Sequence, residues 1–143
     1  MSAPEPKAVL FACNHNTVRS PMAAALLERL SAGRIRAESC GVLDAGEQLD
    51  PFAWAVMREE GLDLASHSPK RLEEVNVGSF DLMVALTPEA EARLGASIVP
   101  GECWPCEDPT VVEGSREQRL DAYRRVRDGL RRQLESRFPQ EER

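Results

Sequence analysis

Residues 13–20 are the part of this chain in which residue types and spacing best suit a chemical reaction. A cysteine opens the segment, and an arginine follows it in a C-x5-R pattern. An apolar run at 8–12 precedes the segment and helix-forming residues at 21–27 follow it, so the pattern predicts a strand, a loop and a helix. A helix N-terminus and a nearby arginine both favour the thiolate form of a cysteine. The thiolate, rather than the thiol, acts as a nucleophile. The eight residues are Cys13, Asn14, His15, Asn16, Thr17, Val18, Arg19 and Ser20.

The C-x5-R spacing fits the shape of a tetrahedral oxyanion such as phosphate. Backbone N–H groups of the loop, next to the positive end of a helix, can point at the oxygens of the anion. The guanidinium of Arg19 can offer two parallel hydrogen bonds to the same group. We therefore predict that residues 14–20 form a phosphate-binding loop, with Cys13 in line to attack the phosphorus atom.

Strand and helix patterns alternate along the rest of the chain. Parallel strands joined by helices predict an α/β fold, and such sheets bind ligands beyond the carboxyl ends of their strands. Cys13 lies at one such end. Gly33 is predicted to end the first helix, and Asp50, Thr87 and Ser115 to begin the later ones. We predict strands at 8–12, 35–39, 81–86 and 97–100, and helices at about 21–32, 51–60, 88–94 and from 115 onward.

Length and charge narrow the class of protein. A chain of 143 residues is expected to form one domain over 1–143, with a flexible tail at 1–6 and a frayed end at 139–143. The net charge of −6 argues against nucleic acid or an anionic membrane as the main partner. No apolar run approaches the roughly 18–20 residues that span a bilayer, and no secretory signal opens the chain, so we predict a cytoplasmic protein. In that reducing compartment the four cysteines are expected to be thiols.

The run C-N-H-N-T-V-R-S-P-M-A that starts at Cys13 resembles the active-site loop of the low-molecular-weight protein tyrosine phosphatase family. Thioredoxin-coupled arsenate reductases share this superfamily. Later segments resemble the same family: its Ser-x-Gly at 39–41, its Gly-Ile-Asp-x-x-x-His at 61–67 and its acidic loop at 107–109. The resemblance covers nearly the whole chain. It implies a twisted, four-stranded parallel sheet flanked by helices on both faces, with the phosphate-binding loop after the first strand.

The resemblance also implies catalytic roles for three residues. Cys13 would be the nucleophile, Arg19 would bind the transition state and Asp108 would be the general acid. Asp108 would protonate the leaving oxygen as Cys13 takes the phosphoryl group, and would then activate the water that hydrolyses the cysteinyl-phosphate. Because the loop and Arg19 would supply the positive field, we expect no metal and no cofactor.

Further residues are expected to support the loop or its nucleophile. Asparagine is among the few residues that tolerate positive φ, and the resemblance implies that Asn16 holds a strained loop together with Ser39 and His67. The hydroxyl of Ser20 can donate a hydrogen bond to the thiolate. The side chain of His15 can point either to the rim of the pocket or into solvent.

We predict a phosphomonoester hydrolase, most specifically a protein tyrosine phosphatase that acts through a cysteinyl-phosphate intermediate. The expected substrate is a phosphorylated protein or a small phosphomonoester, and inorganic phosphate or another oxyanion would also bind the site. No nucleic acid or membrane partner is expected, and the chain should be a monomer or a weak dimer. Thr110 and Val111 stand where a phosphotyrosine-specific member has two tyrosines, so a stacking ring would have to come from Trp54 or Trp104.

Two alternatives stay open. An arsenate reductase needs a second thiol to displace arsenite from Cys13, and the C-x-x-C pair Cys103 and Cys106 could serve. The reductases carry a resolving cysteine just after the third strand, where this chain has Thr87. The second alternative is a catalytically silent phosphate- or phosphoprotein-binding protein, although every residue that catalysis needs is present.

Overall fold

Strands and α-helices alternate along the chain in the computed structural model, which describes residues 5–95 and 97–140. The strands are β1 (Ala8–Cys13), β2 (Arg36–Gly41), β3 (Leu82–Ala85) and β4 (Gly101–Cys103). The α-helices are α1 (Arg19–Leu30), α2 (Pro51–Arg58), α3 (Pro88–Leu94) and α4 (Arg116–Arg137). Of the predicted flexible tail and frayed end, residues 1–4 and 141–143 lie outside the described part.

The strands form one sheet in the order β2-β1-β3-β4, and every neighbouring pair is parallel. The prediction of a four-stranded parallel sheet is therefore confirmed. Because β1 lies inside the sheet, its carboxyl end is flanked by the ends of β2 and β3. Cys13 is the last residue of β1, so the loop that follows lies at the edge where parallel sheets bind ligands.

Side chains of β1 alternate between two core layers, and all of its residues are buried. Val9, Phe11 and Cys13 belong to the layer that also contains residues of α1, α2 and α4. Leu10 and Ala12 belong to the opposite layer, which contains residues of α3. Helices therefore cover both faces of the sheet, as predicted.

Side-chain caps begin three of the helices at the predicted residues. The Asp50 carboxylate accepts from the N–H of Phe52 at 2.8 Å, and the Thr87 hydroxyl accepts from the N–H of Ala90 at 3.0 Å. Ser115 caps α4. Each cap satisfies an N–H group that has no partner within its helix. The first helix begins two residues earlier than predicted, at Arg19.

The last predicted strand is wrong in position. We expected it at 97–100, but β4 spans Gly101–Cys103. Proline has no N–H to donate, so Pro100 cannot continue a ladder in both directions, although its carbonyl accepts from Met83 at 2.9 Å. Ile98 is 99% exposed, so its side chain packs against neither core layer. No α-helix in the described part of the chain is long and apolar enough to cross a membrane.

Candidate active site

The loop between β1 and α1 directs its carbonyl groups towards the protein. The carbonyl of Cys13 accepts from Val42 at 2.8 Å, and that of His15 accepts from Gly46 at 3.0 Å. The carbonyls of the loop residues from 13 to 18 all have a partner of this kind: the N–H groups of Val42, Leu43, Asp44, Gly46, Asp50 and Met22, and the ring of His67. The loop is thus held in place by hydrogen bonds that its carbonyl groups accept from the surrounding protein.

The N–H groups of the same loop have no such partners. Within the described residues, no N–H of residues 14–18 donates to a protein acceptor. Buried N–H groups are almost always paired, so a run of free donors in one loop indicates an anion site. The start of α1 adds the positive end of a helix. Cys13, which is 3% exposed, lies at the base of this loop.

Asn16 is the residue around which the loop is organised. It is fully buried, and its backbone has φ 60, in the left-handed region. Its side-chain amide donates to the hydroxyls of Ser20 at 2.9 Å and Ser39 at 2.8 Å, and its side-chain oxygen accepts from the N–H of Lys70 at 2.9 Å. The ring of His67 lies 2.9 Å from its carbonyl oxygen. The structure thus brings the residues predicted to support the loop into one hydrogen-bonded group.

Burial and a backbone contact set the charge of His67. Burial lowers the pKa of this ring, the positive charge of Lys70 lowers it further, and the hydrogen bond to the Asn16 carbonyl acts in the opposite sense. The net pKa is lowered, so the ring is neutral at neutral pH. A neutral ring can still donate one N–H to the carbonyl and hold the loop.

Ser20 links Cys13 to this support. Its hydroxyl oxygen lies 2.9 Å from the sulfur of Cys13 and 3.3 Å from the carbonyl oxygen of Cys40. Because Asn16 donates to the same oxygen, the hydroxyl proton can turn to a thiolate. Ser20 is fully buried, so no water competes for that proton.

Gly41 lets the loop pass close to β2. A Cβ atom at this position would lie 2.2 Å from the carbonyl oxygen of Asp44 and 2.9 Å from that of Asn14. Any other residue would therefore push the loop away. This is the physical reason for a glycine in the Ser-x-Gly segment, which the sequence pattern alone did not supply.

Arg19 joins the loop to the acidic segment at 104–109. One nitrogen of its guanidinium donates to the carbonyl of Cys106 at 3.0 Å, and this is its only protein acceptor within the described residues. The remaining N–H groups are available for an oxyanion. The positive charge of Arg19 also acts on Asp108.

Asp108 begins a 3₁₀ turn at Pro109–Val111. Its carboxylate accepts from the N–H of Thr110 at 2.9 Å and from the Thr110 hydroxyl at 2.6 Å. Partial burial acts to raise the pKa of Asp108, but the two hydrogen bonds from Thr110 and the charges of Arg19 and His15 outweigh it. The net pKa is lowered, so the carboxylate is ionised at neutral pH without substrate.

His15 and Asn14 have partners on the rim. The ring of His15 lies 2.7 Å from the carboxylate of Asp44, and its side chain is 52% exposed. Asn14 accepts from the hydroxyl of Thr87 at 2.8 Å and donates to Glu89 at 3.3 Å. Of the two orientations left open for His15, the structure shows an exposed ring paired with a carboxylate.

Cys103 and Cys106 are not brought together. Cys103 packs against the core layer that contains α3, whereas Cys106 packs against the layer that contains Cys13. Burial raises the pKa of Cys106 to about 11, with Arg19 acting to lower it and Cys13 to raise it. Burial likewise raises the pKa of Cys40 to about 12. Both buried thiols are therefore neutral at physiological pH.

A sequence profile described as low molecular weight phosphotyrosine protein phosphatase matches residues 8–141. The chain belongs to this family. The matched range contains the loop at 13–20, the residues that contact Asn16 and the acidic segment, and the family is the one that the resemblance predicted. No group of three or more His, Cys, Asp or Glu side chains in 5–95 and 97–140 is arranged to hold a metal ion.

Relatives within the low molecular weight phosphatase family carry two kinds of name. A glutaredoxin arsenate reductase from Synechocystis sp. is 30% identical over 137 residues, covering 91% of this chain and 95% of the relative. A protein-arginine-phosphatase from Geobacillus stearothermophilus is 35% identical over 139 residues, covering 87% of this chain and 89% of the relative. A solved structure described as an arsenate reductase in the phosphate binding state is 30% identical, with a TM-score of 0.72, and covers 91% of this chain and 95% of its own. The chain is thus an enzyme with a cysteine-based phosphatase or arsenate reductase fold.

The contacts of one residue at the site were not predicted from the sequence. Asp50 was identified only as a helix cap, yet its N–H donates to the carbonyl of Thr17 at 3.0 Å. Its carboxylate also accepts from the hydroxyl of Tyr123 at 2.8 Å. Asp50 therefore ties the phosphate-binding loop to α2 and α4. The sequence carried no signal for these contacts, because all three residues are far apart in the chain.

Proposed function

We propose that this protein is a phosphatase that transfers a phosphoryl group to Cys13 and then to water. The run of N–H groups at 14–18 that have no acceptor among the described residues carries this proposal, because such free donors next to Cys13 can bind the oxygens of a phosphate. Arg19 adds a charged donor to the same oxygens. The Ser20 hydroxyl, 2.9 Å from the sulfur, favours the thiolate.

The carboxyl group of Asp108 acts in both steps of the proposed reaction. In the first, the Cys13 sulfur bonds to phosphorus, the bond from phosphorus to the leaving oxygen breaks, and Asp108 gives its proton to that oxygen. In the second, ionised Asp108 takes a proton from water, the water oxygen bonds to phosphorus, and the thiolate leaves as phosphate forms. The lowered pKa of Asp108 suits the second step directly and makes the first step faster at acidic pH.

A phosphorylated protein side chain is the substrate class that we propose. Phosphotyrosine is the side chain predicted from sequence, but the two tryptophans do not offer a stacking ring: Trp104 is 6% exposed, and the Trp54 ring is covered by Arg58. The exposed Leu43 and Val111 offer aliphatic contacts instead. Phosphoarginine is therefore tested beside phosphotyrosine, since one relative is named a protein-arginine-phosphatase.

Arsenate reduction is the second candidate, and the position of Cys106 favours it. Cys106 is close enough to Cys13 for the charge of Cys13 to act on the pKa of Cys106. The Cys13 sulfur would bond to arsenic as one arsenate oxygen leaves as water, and a Cys106 thiolate would then attack that sulfur. The sulfur–arsenic bond would break with its electron pair on arsenic, releasing arsenite and a disulfide that thioredoxin reduces. The pKa of about 11 for Cys106 and its separation from Cys103 both make this route slow.

The test measures hydrolysis and arsenate reduction on the same preparations. The substrates are para-nitrophenyl phosphate, phenyl phosphate, a phosphotyrosine peptide and a phosphoarginine peptide, and arsenate is assayed with thioredoxin. We expect the wild type to hydrolyse the phosphate esters without added metal, and Cys13→Ser to show no hydrolysis. Asp108→Asn should lower the hydrolysis rate by about 10²–10⁴-fold, with a larger loss for phenyl phosphate. Arsenate turnover that needs Cys106, without hydrolysis, would establish the second candidate. Silence in both assays would indicate a binding protein.

A further inference from the structure

Two arginines in the first turn of α4 stand over one aromatic ring. The guanidinium carbon of Arg116 lies 5.4 Å, and that of Arg119 4.7 Å, from the centre of the Phe52 ring. A guanidinium over a ring face is attracted by the electrons of the ring. Both charged groups are thus positioned by the ring, although both residues are exposed.

The charges of this arginine pair have no carboxylate partner. Within the described residues, neither guanidinium lies within 4.0 Å of a carboxylate oxygen. Five other arginines of α4 do have such a partner: Arg124, Arg125, Arg127, Arg131 and Arg137. Positive charge at the N-terminal end of a helix also opposes the helix dipole. Because these charges are unpaired and lie at an unfavourable helix position, they indicate that the arginine pair binds a ligand rather than stabilises the fold.

The arginine pair lies beside the phosphate-binding loop and the acidic segment. Phe52 follows Asp50 by two residues, and the N–H of Asp50 donates to the carbonyl of Thr17 at 3.0 Å. On the other side, Arg119 lines an open depression of about 490 Å³ together with residues 110–114. That segment directly follows Asp108 and Pro109. Arg119 therefore lies next to the segment that follows Asp108, and Arg116 lies over the same ring as Arg119.

Nearby carboxylates do not neutralise the pair. Asp50 caps α2 and accepts from Tyr123, and Glu117 pairs with Arg124 at 3.1 Å. Glu113 lines the same depression and forms no ion pair within the described residues. Glu113 and Arg119 both line the depression, and Arg116, over the same ring as Arg119, adds a second guanidinium beside it.

We propose that Arg116 and Arg119 bind an acidic side chain that neighbours the phosphorylated residue of a peptide substrate. This inference rests on the proposed phosphatase function and adds a sequence preference to it. A guanidinium offers two parallel hydrogen bonds to a carboxylate, and exposed charges of opposite sign also speed association. Aspartate or glutamate near the phosphorylated residue should therefore raise kcat/KM.

The test compares matched peptides. Two phosphotyrosine and two phosphoarginine heptapeptides carry either aspartate or serine at the positions flanking the phosphorylated residue. We expect the wild type to prefer the aspartate peptide by about tenfold in kcat/KM, which is the effect of about 1.4 kcal/mol. The ratio should fall towards one in Arg116→Gln/Arg119→Gln, and should also fall in the wild type as salt is raised.

Arg132→Gln is the matched control. Arg132 lies on the same helix, forms no ion pair within the described residues, and is 13 residues from Arg119, or about 20 Å along the helix. Arg132→Gln is compared with Arg119→Gln, because each removes one positive charge: the ratio should fall in Arg119→Gln and should stay at the wild-type value in Arg132→Gln. An equal fall in Arg132→Gln would show a general charge effect and would overturn the proposal.

Two further results separate the proposal from the function on which it rests. If para-nitrophenyl phosphate is hydrolysed but the aspartate and serine peptides react at equal rates, the docking role alone is overturned. The docking role is also overturned if para-nitrophenyl phosphate is hydrolysed and neither kind of peptide is. If no substrate is hydrolysed, peptide binding to Cys13→Ser by fluorescence polarisation still decides. Tighter binding of aspartate peptides that is lost in Cys13→Ser/Arg119→Gln would support docking, and equal binding would refute it.

Discussion

The hydroxyl oxygen of Ser20 lies 2.9 Å from the sulfur of Cys13, and both residues are buried. Asn16 donates to that oxygen, so the hydroxyl proton is left for an acceptor, and a Cys13 thiolate at 2.9 Å is closer than the Cys40 carbonyl at 3.3 Å. Breakdown of a cysteinyl-phosphate releases a thiolate at this position. Ser20 should therefore stabilise the leaving group of the second step more than the nucleophile of the first.

We expect Ser20→Ala to lower kcat for para-nitrophenyl phosphate by about 10- to 100-fold, since a hydrogen bond to a charged group contributes about 1.5–3 kcal/mol. Rapid mixing should show a burst of nitrophenol before the slow steady state. The control is Ser31→Ala, which removes another buried hydroxyl, one that accepts from Ile35 at 3.1 Å, and should keep kcat. A slow variant without a burst would contradict a role in the second step.

Asn16 combines two contributions that substitutions can separate. Asn16→Gly removes three side-chain hydrogen bonds and keeps the backbone free to adopt φ 60, so we expect a loss of about 1–3 kcal/mol in the free energy of unfolding. Asn16→Ala should lose about 1–2 kcal/mol more, because a left-handed conformation strains alanine. Urea unfolding measures both. Equal losses in the two variants would show that the backbone conformation relaxes.

Thr110 controls the ionisation of the proposed general acid. Its hydroxyl donates to the Asp108 carboxylate at 2.6 Å and so lowers the pKa of that group. Thr110→Val keeps the size and the N–H bond but removes the hydroxyl, so the pKa of Asp108 should rise. The acid is active when protonated, and the basic limb of kcat/KM for phenyl phosphate should move to higher pH. Asp108→Asn should abolish this limb, and an unmoved limb in Thr110→Val would count against Asp108 as the acid.

Glu59 gives the fold a pH-dependent contribution to stability. Hydrogen bonds from Arg124, and then from the buried Arg127, lower the pKa of Glu59 from 4.5 to about 2. Its ionised form is favoured by folding, so the contribution is complete above pH 4.5 and disappears as pH falls towards 2. Because Glu59 is 39% exposed, we expect Glu59→Gln to cost only about 1 kcal/mol at pH 7.

Thermal unfolding at several pH values checks the sign of this effect. The difference between the wild type and Glu59→Gln should shrink between pH 4.5 and pH 2. Glu117→Gln is the matched control, since its carboxylate forms an ion pair with Arg124 alone among the described residues and is 68% exposed, and its effect should be smaller. A difference that grows on acidification would refute the assignment.

Local patterns predicted the elements that hold the site. The caps Asp50, Thr87 and Ser115 were identified correctly, because a side chain and the N–H groups it caps lie within three residues. The last strand was misplaced by a few residues. Its position depends on the ladder with β3, in which Met83 pairs with Gly101, and apolar residues at 98–99 carried no information about that partner.

The residues of the site divide in the same way. The sequence by itself determined which residues could do the chemistry, because the C-x5-R spacing and the strand–loop–helix order act over a few neighbouring residues. Tertiary structure alone decided that Arg19 contacts Cys106 and that Asp50 reaches both Thr17 and Tyr123. Those contacts join residues up to 87 positions apart, so they depend on strand order and on how α4 packs against the sheet.

The same distinction explains the two cysteines of the acidic segment. Their C-x-x-C spacing suggested one redox pair, but Cys103 lies in β4 and Cys106 beyond its end, on the other side of the sheet. Successive side chains of a strand point to opposite faces of the sheet. Beyond the end of the strand, this alternation no longer decides on which side of the sheet a residue lies. Sequence determined that thiols stand near the proposed general acid; the sheet decided that only Cys106 faces the core layer of Cys13.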